Sequence, residues 1–300
     1  MGLGTLQTKI LFYSTTLGVS FDRTLTLGRQ NLYTSKKDIG RYVYRYMNDH
    51  LIAGDEFNNN EYSEPLFKNL GAKLIDSMDN STYEGATVIH DLNEPIDTDM
   101  KNKYTAIIDG GTFEHIFNFP VAVKNCMQML KIGGHFIGFT PANNLCGHGF
   151  YQFSPELFFR IFSSKNGFIV KLMAIHAGDG TKGSTNVYLV KDPDDVKTRI
   201  EFESNKELSL IVIAKKIKDT DLFSESPQQS DYLSIWSAKD NESTISSKNY
   251  ISNLRVLYKK KIPLNIRNFI YGIYHRIRYR KTNYWGFAKV HKEFVDKLDF

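Results

Sequence analysis

The chain has 300 residues, enough to bury a substantial core as one large domain or two small ones. Its 41% apolar and 24% charged content is that of a globular protein, and no apolar run reaches the length of a membrane-spanning helix, which excludes that class. Charge is uneven: residues 251–300 carry 12 Lys/Arg against 3 Asp/Glu, while residues 1–250 carry 26 against 30, so a mildly acidic body bears a basic tail.

The opening MGLGTLQTKILFYSTTLGVS has a short apolar stretch, no cleavage-site pattern, and Leu6 where a myristoylation signal wants Ser or Thr. Neither a secretory signal nor a lipid anchor is expected there. Cys126 and Cys146 form no CxxC pair, which reads as reduced thiols in a cytoplasmic protein. The first predicted strand is Thr24–Leu27, stopping at Gly28. Helical spacing of Ile39, Val43, Tyr46 and Met47 then predicts a helix over 36–51, and a shorter one follows at 64–70 before Gly71.

Three short apolar runs come next, AKLID (72–76), ATVIHD (86–91) and YTAIID (104–109), each closed by an aspartate. Pro120 opens a helix whose Val123, Met127 and Leu130 share a face, with Gly133–Gly134 as its expected end. HFIGFT (135–140) is a further strand, and Ser154 with Pro155 starts another helix. FIVKLMAIHA, NVYLV and ELSLIVIA are strands without long helical connections, so antiparallel pairing is expected among them. The fold class is therefore α/β, a Rossmann-like, mostly parallel sheet with antiparallel strands at the C-terminal end of the core. The domain over 1–218 is followed by a polar linker over 219–249 and a basic helical tail over 250–300.

In open α/β sheets ligands collect outside the carboxyl ends of the strands. Gly28, Asp76, Asp91, Asp109 and Thr140 each end a predicted parallel strand and would share that edge. A carboxylate there suits ribose hydroxyls or an adenine amino group, although a strand-ending aspartate also serves as a turn former. His115, just past Asp109, titrates near neutrality and is a candidate base; its alternative is a packed first helical turn capped by Glu114. His148, Tyr151 and Gln152 in GHGFYQF offer polar and aromatic groups suited to a sugar, or simply pack a loop. No histidine pair has metal-ligand spacing, so no metal is expected.

The segment IIDGGTFEHIFNFPVAVKNCMQMLKIGGHFIGFTPAN resembles the central signature of class I S-adenosylmethionine-dependent methyltransferases, and SPELFFRIFSSKNGF the segment that follows it. Within that class the chain most resembles the branch found with bacterial surface-polysaccharide biosynthesis genes. The resemblance implies S-adenosylmethionine as cofactor, with Gly28 and Gln30 under its methionine end and Asp76, or Asp79, on the ribose. It further implies Asp91 and Leu92 at the adenine, and Asp109 and Gly110 beside the sulfonium. Glu114 and His115 would then serve catalysis, and His148, Tyr151 and Gln152 a sugar or glycan-precursor acceptor. The glycine-rich loop is reduced to Leu27-Gly28-Arg29-Gln30, so Arg29 and Gln30 either hold the cofactor's amino-acid end or fill its place. A non-catalytic scaffold that has lost the cofactor is the alternative function.

In the tail, Ile266, Phe269, Ile270, Ile273, Tyr274 and Ile277 form one helical stripe beside Arg267, Arg276 and Arg278. The segment 263–280 is suited to an anionic membrane surface, to the enzyme body or to a second copy of the chain. RNA methylation anchored by this tail is a third function; no nucleic-acid module accompanies the basic residues, so nucleic acid is not the expected partner.

Overall fold

Alternating apolar runs and helical spacings resolve into a mixed sheet covered on both faces. A computed structural model describes residues 2–47, 62–178, 187–196, 200, 204–230, the single positions 232, 263, 266 and 273, and the backbone of 295–297. In chain order the elements are β1 (Gly2–Leu3), α1 (Thr5–Thr16), β2 (Arg23–Leu27), β3 (Asn31–Leu32), α2 (Lys36–Met47) and α3 (Glu64–Asn69). They continue with β4 (Leu74–Asp79), β5 (Val88–Ile89), β6 (Tyr104–Asp109), α4 (Phe119–Met129), β7 (Leu130–Asn143) and α5 (Pro155–Ile161). Last come β8 (Phe168–Ala177), β9 (Val187–Val190), α6 (Pro193–Val196) and β10 (Leu208–Lys216).

The chain divides into two compact units, one of residues 1–190, 206–227 and 296–300, the other of 191–205 and 228–295. In the first, the sheet runs β5-β4-β2-β6-β7-β10-β8-β9. Pairings from β5 through β7 are parallel. β10 enters antiparallel between β7 and β8, and β9 pairs antiparallel with β8. This is the expected Rossmann-like class. Strand order reverses between β2 and β6, where connections leave to opposite sides and a crevice opens at the carboxyl ends.

Alternation along the strands distributes the core. Ala106, Ile108, Ile137 and Ile211 belong to one cluster with Leu11 and Phe12 of α1, Ile39 of α2 and Phe67 of α3. Ile107 and Phe136 are buried as well, and Phe136 stacks on Phe113 and Phe162 at centroid distances of 5.5 and 5.1 Å. Phe119 meets Phe113 edge-on at 5.3 Å. Each such ring contributes about 1.5–3 kcal/mol by burial. This aromatic block fixes the connection after β6, which is where the candidate site lies.

Several boundaries differ from those read in the sequence. Thr5–Thr16 is a helix that periodicity missed, because its Leu, Ile and Phe positions are interspersed with β-branched and polar residues and make no single clear stripe. α4 ends at Met129, and Gly133, at φ +86°, lies inside β7 rather than closing the helix. The register of β7 on β6 jumps between Tyr104 and Ala106, so the Leu130–Gly134 segment is an irregular entry to the strand. Ser154 does cap α5, its hydroxyl accepting the Leu157 N–H at 3.3 Å.

Residues 219–227, read as linker, pack on the body. Leu222 is buried, the Phe223 N–H donates to Asn166 Oδ1 at 3.1 Å, and Lys165 pairs with Glu225 at 2.8 Å. In the second unit, the Asp192 side chain accepts the Asp194 N–H at the start of α6. Ile266 and Ile273 are helical there and nearly half exposed; the rest of the amphipathic stripe lies outside the described residues. Among the described residues no helix is long and apolar enough to cross a membrane.

Candidate active site

At the reversal point the strand ends are tied together by side chains. The register aligns Leu27 with Met78 on one side and with Asp109 on the other, and Asp109 with Gly138. Gly28 follows with φ +69°, a backbone state that favours glycine, and its N–H donates to the Met78 carbonyl at 2.7 Å. That N–H is therefore spent on the neighbouring strand. The Leu27 carbonyl accepts from Gln30 Nε2 at 2.6 Å and from the Thr112 hydroxyl at 2.8 Å.

Gln30 is buried, and its amide lies against Gly110: a Cβ on that glycine would fall 2.5 Å from Gln30 Oε1. Its Oε1 has no hydrogen-bond partner among the described residues. Arg29 turns the other way, donating to Glu64 at 2.7 Å and to the Glu84 carbonyl at 3.0 Å, with its guanidinium 3.7 Å from the Tyr62 ring centroid. Both side chains are held by protein partners, Arg29 by Glu64 and the Glu84 carbonyl and Gln30 by the Leu27 carbonyl.

The aspartates do not share one edge. Asp109 alone ends its strand level with Leu27; it is fully buried, and Oδ1 accepts the N–H groups of Gly111 at 3.3 Å and Thr112 at 2.7 Å. Asp76 lies three residues before the end of β4, opposite Leu25, because that strand runs on to Asp79. Its carboxylate accepts from Tyr104 at 2.9 Å and Thr87 at 3.0 Å, partners that make it a cross-strand brace. Asp79 takes the strand-ending position, accepting the Ser81 N–H. Asp91 falls two residues beyond β5 and forms a turn through the backbone and side chain of Asn93, hydrogen bonds that hold its carboxyl below the usual range. Leu92 beside it is buried. Thr140 lies within β7, just past its parallel pairing with β6.

For S-adenosylmethionine, the partly exposed Asp79 and Asp91 could accept hydrogen bonds from a nucleoside, whereas the Gln30 amide would have to leave Gly110 to admit the methionine half.

Beyond Gly110 a cavity of about 260 Å³ opens among the ends of β6, β7 and β8 and the start of β10, with Gly2, Leu6 and Gln7 along it. Gly111, Glu114, Thr140, His148 and His176 line it. Phe113 anchors the 3-10 turn Phe113–His115 in the aromatic block, turning Glu114 inward and leaving His115 exposed. Glu114 is 2% exposed, its Oε1 lies 3.5 Å from His148 Nε2, and Oε2 has no hydrogen-bond partner among the described residues. Burial raises the proton affinity of Asp109 and Glu114 alike, and the Asp109 charge raises that of Glu114 further. His115 is held less basic than usual by burial and by His148, whose ring it meets edge-on at 5.1 Å.

The candidate base read from sequence, His115, is therefore on the rim, and Glu114 is the group facing the cavity. Tyr151 and Gln152 do not line it: Tyr151 donates to the Phe117 carbonyl at 2.6 Å, and Gln152 Oε1 accepts the Leu145 N–H at 2.9 Å. Glu114, His115 and His148 bring potential ligand atoms within 4.8 Å of one another, a convergence that sequence spacing did not reveal because 33 residues separate the turn from the loop.

No protein-family model matches the chain, and no curated protein does. Among solved structures it is similar to a branched-chain polyamine synthase mutein from Thermus thermophilus, at 14% identity and TM-score 0.37 over 76% of this chain and 59% of that one. It is similar to the MccD protein at 12% identity and TM-score 0.39, over 69% and 96% of the two chains. A third is the N-methyltransferase NodS from Bradyrhizobium japonicum, at 10% identity and TM-score 0.36, over 72% and 89%. The chain spans about three fifths of the polyamine synthase. These likenesses are loose, and the fold assignment rests on the sheet order itself.

Proposed function

We propose that this chain is an S-adenosylmethionine-dependent methyltransferase acting on a hydroxyl of a sugar or glycan precursor. The observation that carries the reading is the placement of Gly28 and Asp109–Gly110 at the strand-order reversal, where Gly110 lines a cavity that also holds the buried Glu114 carboxylate. When bound, the cofactor supplies a methyl group on an electrophilic sulfonium, which asks of the protein alignment and a route for the acceptor proton. Asp79, Asp91 and Leu92 would hold the nucleoside, and the amino-acid end would lie over Gly110 once the Gln30 amide has swung away from it. Leu6 and Phe139 with Gln7, Glu114 and His148 give the cavity the mixed apolar and polar lining that a sugar needs. Glu114 would receive the hydroxyl proton, with His148 beside it; His115 would act from the rim. The sugar part of the reading rests on resemblance to the polysaccharide-associated branch.

Calorimetry of the full chain with S-adenosylhomocysteine tests the cofactor: saturable binding supports the reading, and no heat at millimolar ligand overturns it. The second reading is a scaffold that has lost the cofactor, favoured by the double closure of Leu27 by Gln30 and Thr112. For 263–280 we retain an anionic membrane surface or a second copy of the chain as partner, in the cytoplasm or at the inner face of its membrane. Liposome flotation that is lost on deleting 251–300 supports the membrane, and a change of oligomeric state alone supports self-association. RNA binding lost on the same deletion would instead favour the RNA methyltransferase reading.

A further inference from the structure

We infer that Glu114, His115 and His148 form a binding site for a divalent transition-metal ion of the zinc, cobalt and manganese class, at the mouth of the cavity beyond Gly110. Two imidazoles and a carboxylate on one side of an ion are a donor set that suits such metals and leaves positions open for an exogenous oxygen. All three ligand atoms fall within 4.8 Å of one another. A tetrahedral ion with bonds near 2.1 Å spaces its ligands about 3.4 Å apart, and the Glu114–His148 pair stands at 3.5 Å. His115, exposed at the rim, has the freedom to close the remaining distance.

The cluster is built by the backbone, not by chance meeting of surface side chains. Phe150 donates its N–H to the Glu114 carbonyl at 2.6 Å, which draws the loop carrying His148 onto the turn carrying Glu114 and His115. Two glycines permit that approach. A Cβ on Gly149 would fall 2.7 Å from the Glu114 carbonyl oxygen, and one on Gly111 would fall 3.0 Å from Glu114 Oε1; both have positive φ, +74° and +103°. A second observation points to a ligand: the Glu114 carboxylate is buried, faces the cavity, and one of its oxygens has no hydrogen-bond partner among the described residues. A buried carboxylate left partly unmatched is costly, and a cation held jointly with His148 offsets that cost.

The site deepens the proposed function, since an ion here would polarise an acceptor hydroxyl lodged in the cavity, whose proton would then pass to solvent at the open mouth and not to the metal-bound Glu114. The ion's binding does not itself depend on that reading. The test is titration of the untagged, chelator-treated full chain with Co²⁺, followed by visible d–d absorption and calorimetry. One ion per chain is expected, with affinity falling in both Glu114→Gln and His148→Ala by at least the roughly 10–100-fold that loss of an outer-shell partner costs. Because His148 is largely exposed, His148→Ala keeps the test open even if Glu114→Gln fails to fold, as far-UV dichroism would show. Absence of Co²⁺ binding, or binding unaltered by His148→Ala, overturns the site. Failure to bind S-adenosylhomocysteine with Co²⁺ binding intact would overturn the methyltransferase reading alone.

Discussion

Gln30 packs its buried amide against Gly110 and donates to the carbonyl of Leu27, joining the connections that leave β2 and β6. The consequence is that one buried side chain covers Gly110 at the strand-order reversal. Gln30→Ala removes the obstruction together with a hydrogen bond worth about 1 kcal/mol. S-adenosylhomocysteine affinity should rise, about tenfold for 1.4 kcal/mol, as measured by calorimetry. A fall in affinity would mean that Gln30 grips the ligand.

Gly110→Ala places a methyl group 2.5 Å from Gln30 Oε1 and should cost about 1–3 kcal/mol by overpacking. In a Gln30→Ala background most of that cost should vanish. Urea unfolding of the two single variants and the double variant measures the coupling; additive losses would place the strain elsewhere.

Tyr104 is fully buried and donates to Asp76, and burial with that bond pushes its phenol far up. Tyr104→Phe should cost about 1.5–3 kcal/mol, the range for a hydrogen bond to a charged group. It should leave S-adenosylhomocysteine affinity unchanged, whereas Asp79→Ala should weaken it. If Asp76→Asn weakens the ligand while Asp79→Ala does not, the ribose role returns to Asp76.

His135 is buried on β7, and neither ring nitrogen has a hydrogen-bond partner among the described residues. Burial, with Lys215 and Lys171 nearby, lowers its pKa to about 4. The unfolded chain therefore takes up this proton first, so the stability is complete above the unfolded pKa of about 6.5 and is lost as pH falls toward 4. Replacing the imidazole in His135→Leu should flatten the decline in urea midpoint between pH 7 and pH 5. An unchanged decline would assign the acid limb to other groups.

Much of the fold was legible in the sequence because burial of alternating or helically spaced apolar residues is a local signal. β6 at Tyr104–Asp109, β8 at Phe168–Ala177 and the Ser154 cap were each readable from a few neighbouring residues. The antiparallel end of the sheet followed from connections without long helical patterns. The class of the sheet and the position of Gly28 and Asp109 at its edge were likewise determined by the sequence alone.

Only the tertiary structure decided what meets at that edge. Strand length moved Asp76 away from it and brought Asp79 there, since a short apolar run does not mark where pairing with its neighbours stops. The approach of two loops, permitted at Gly111 and Gly149 and tied by Phe150 to Glu114, assembled the carboxylate and two histidines across 33 residues of chain. Whether Gln30 faced solvent, ligand or Gly110 depended on the register of β2 against β6, a long-range pairing to which no local pattern is sensitive.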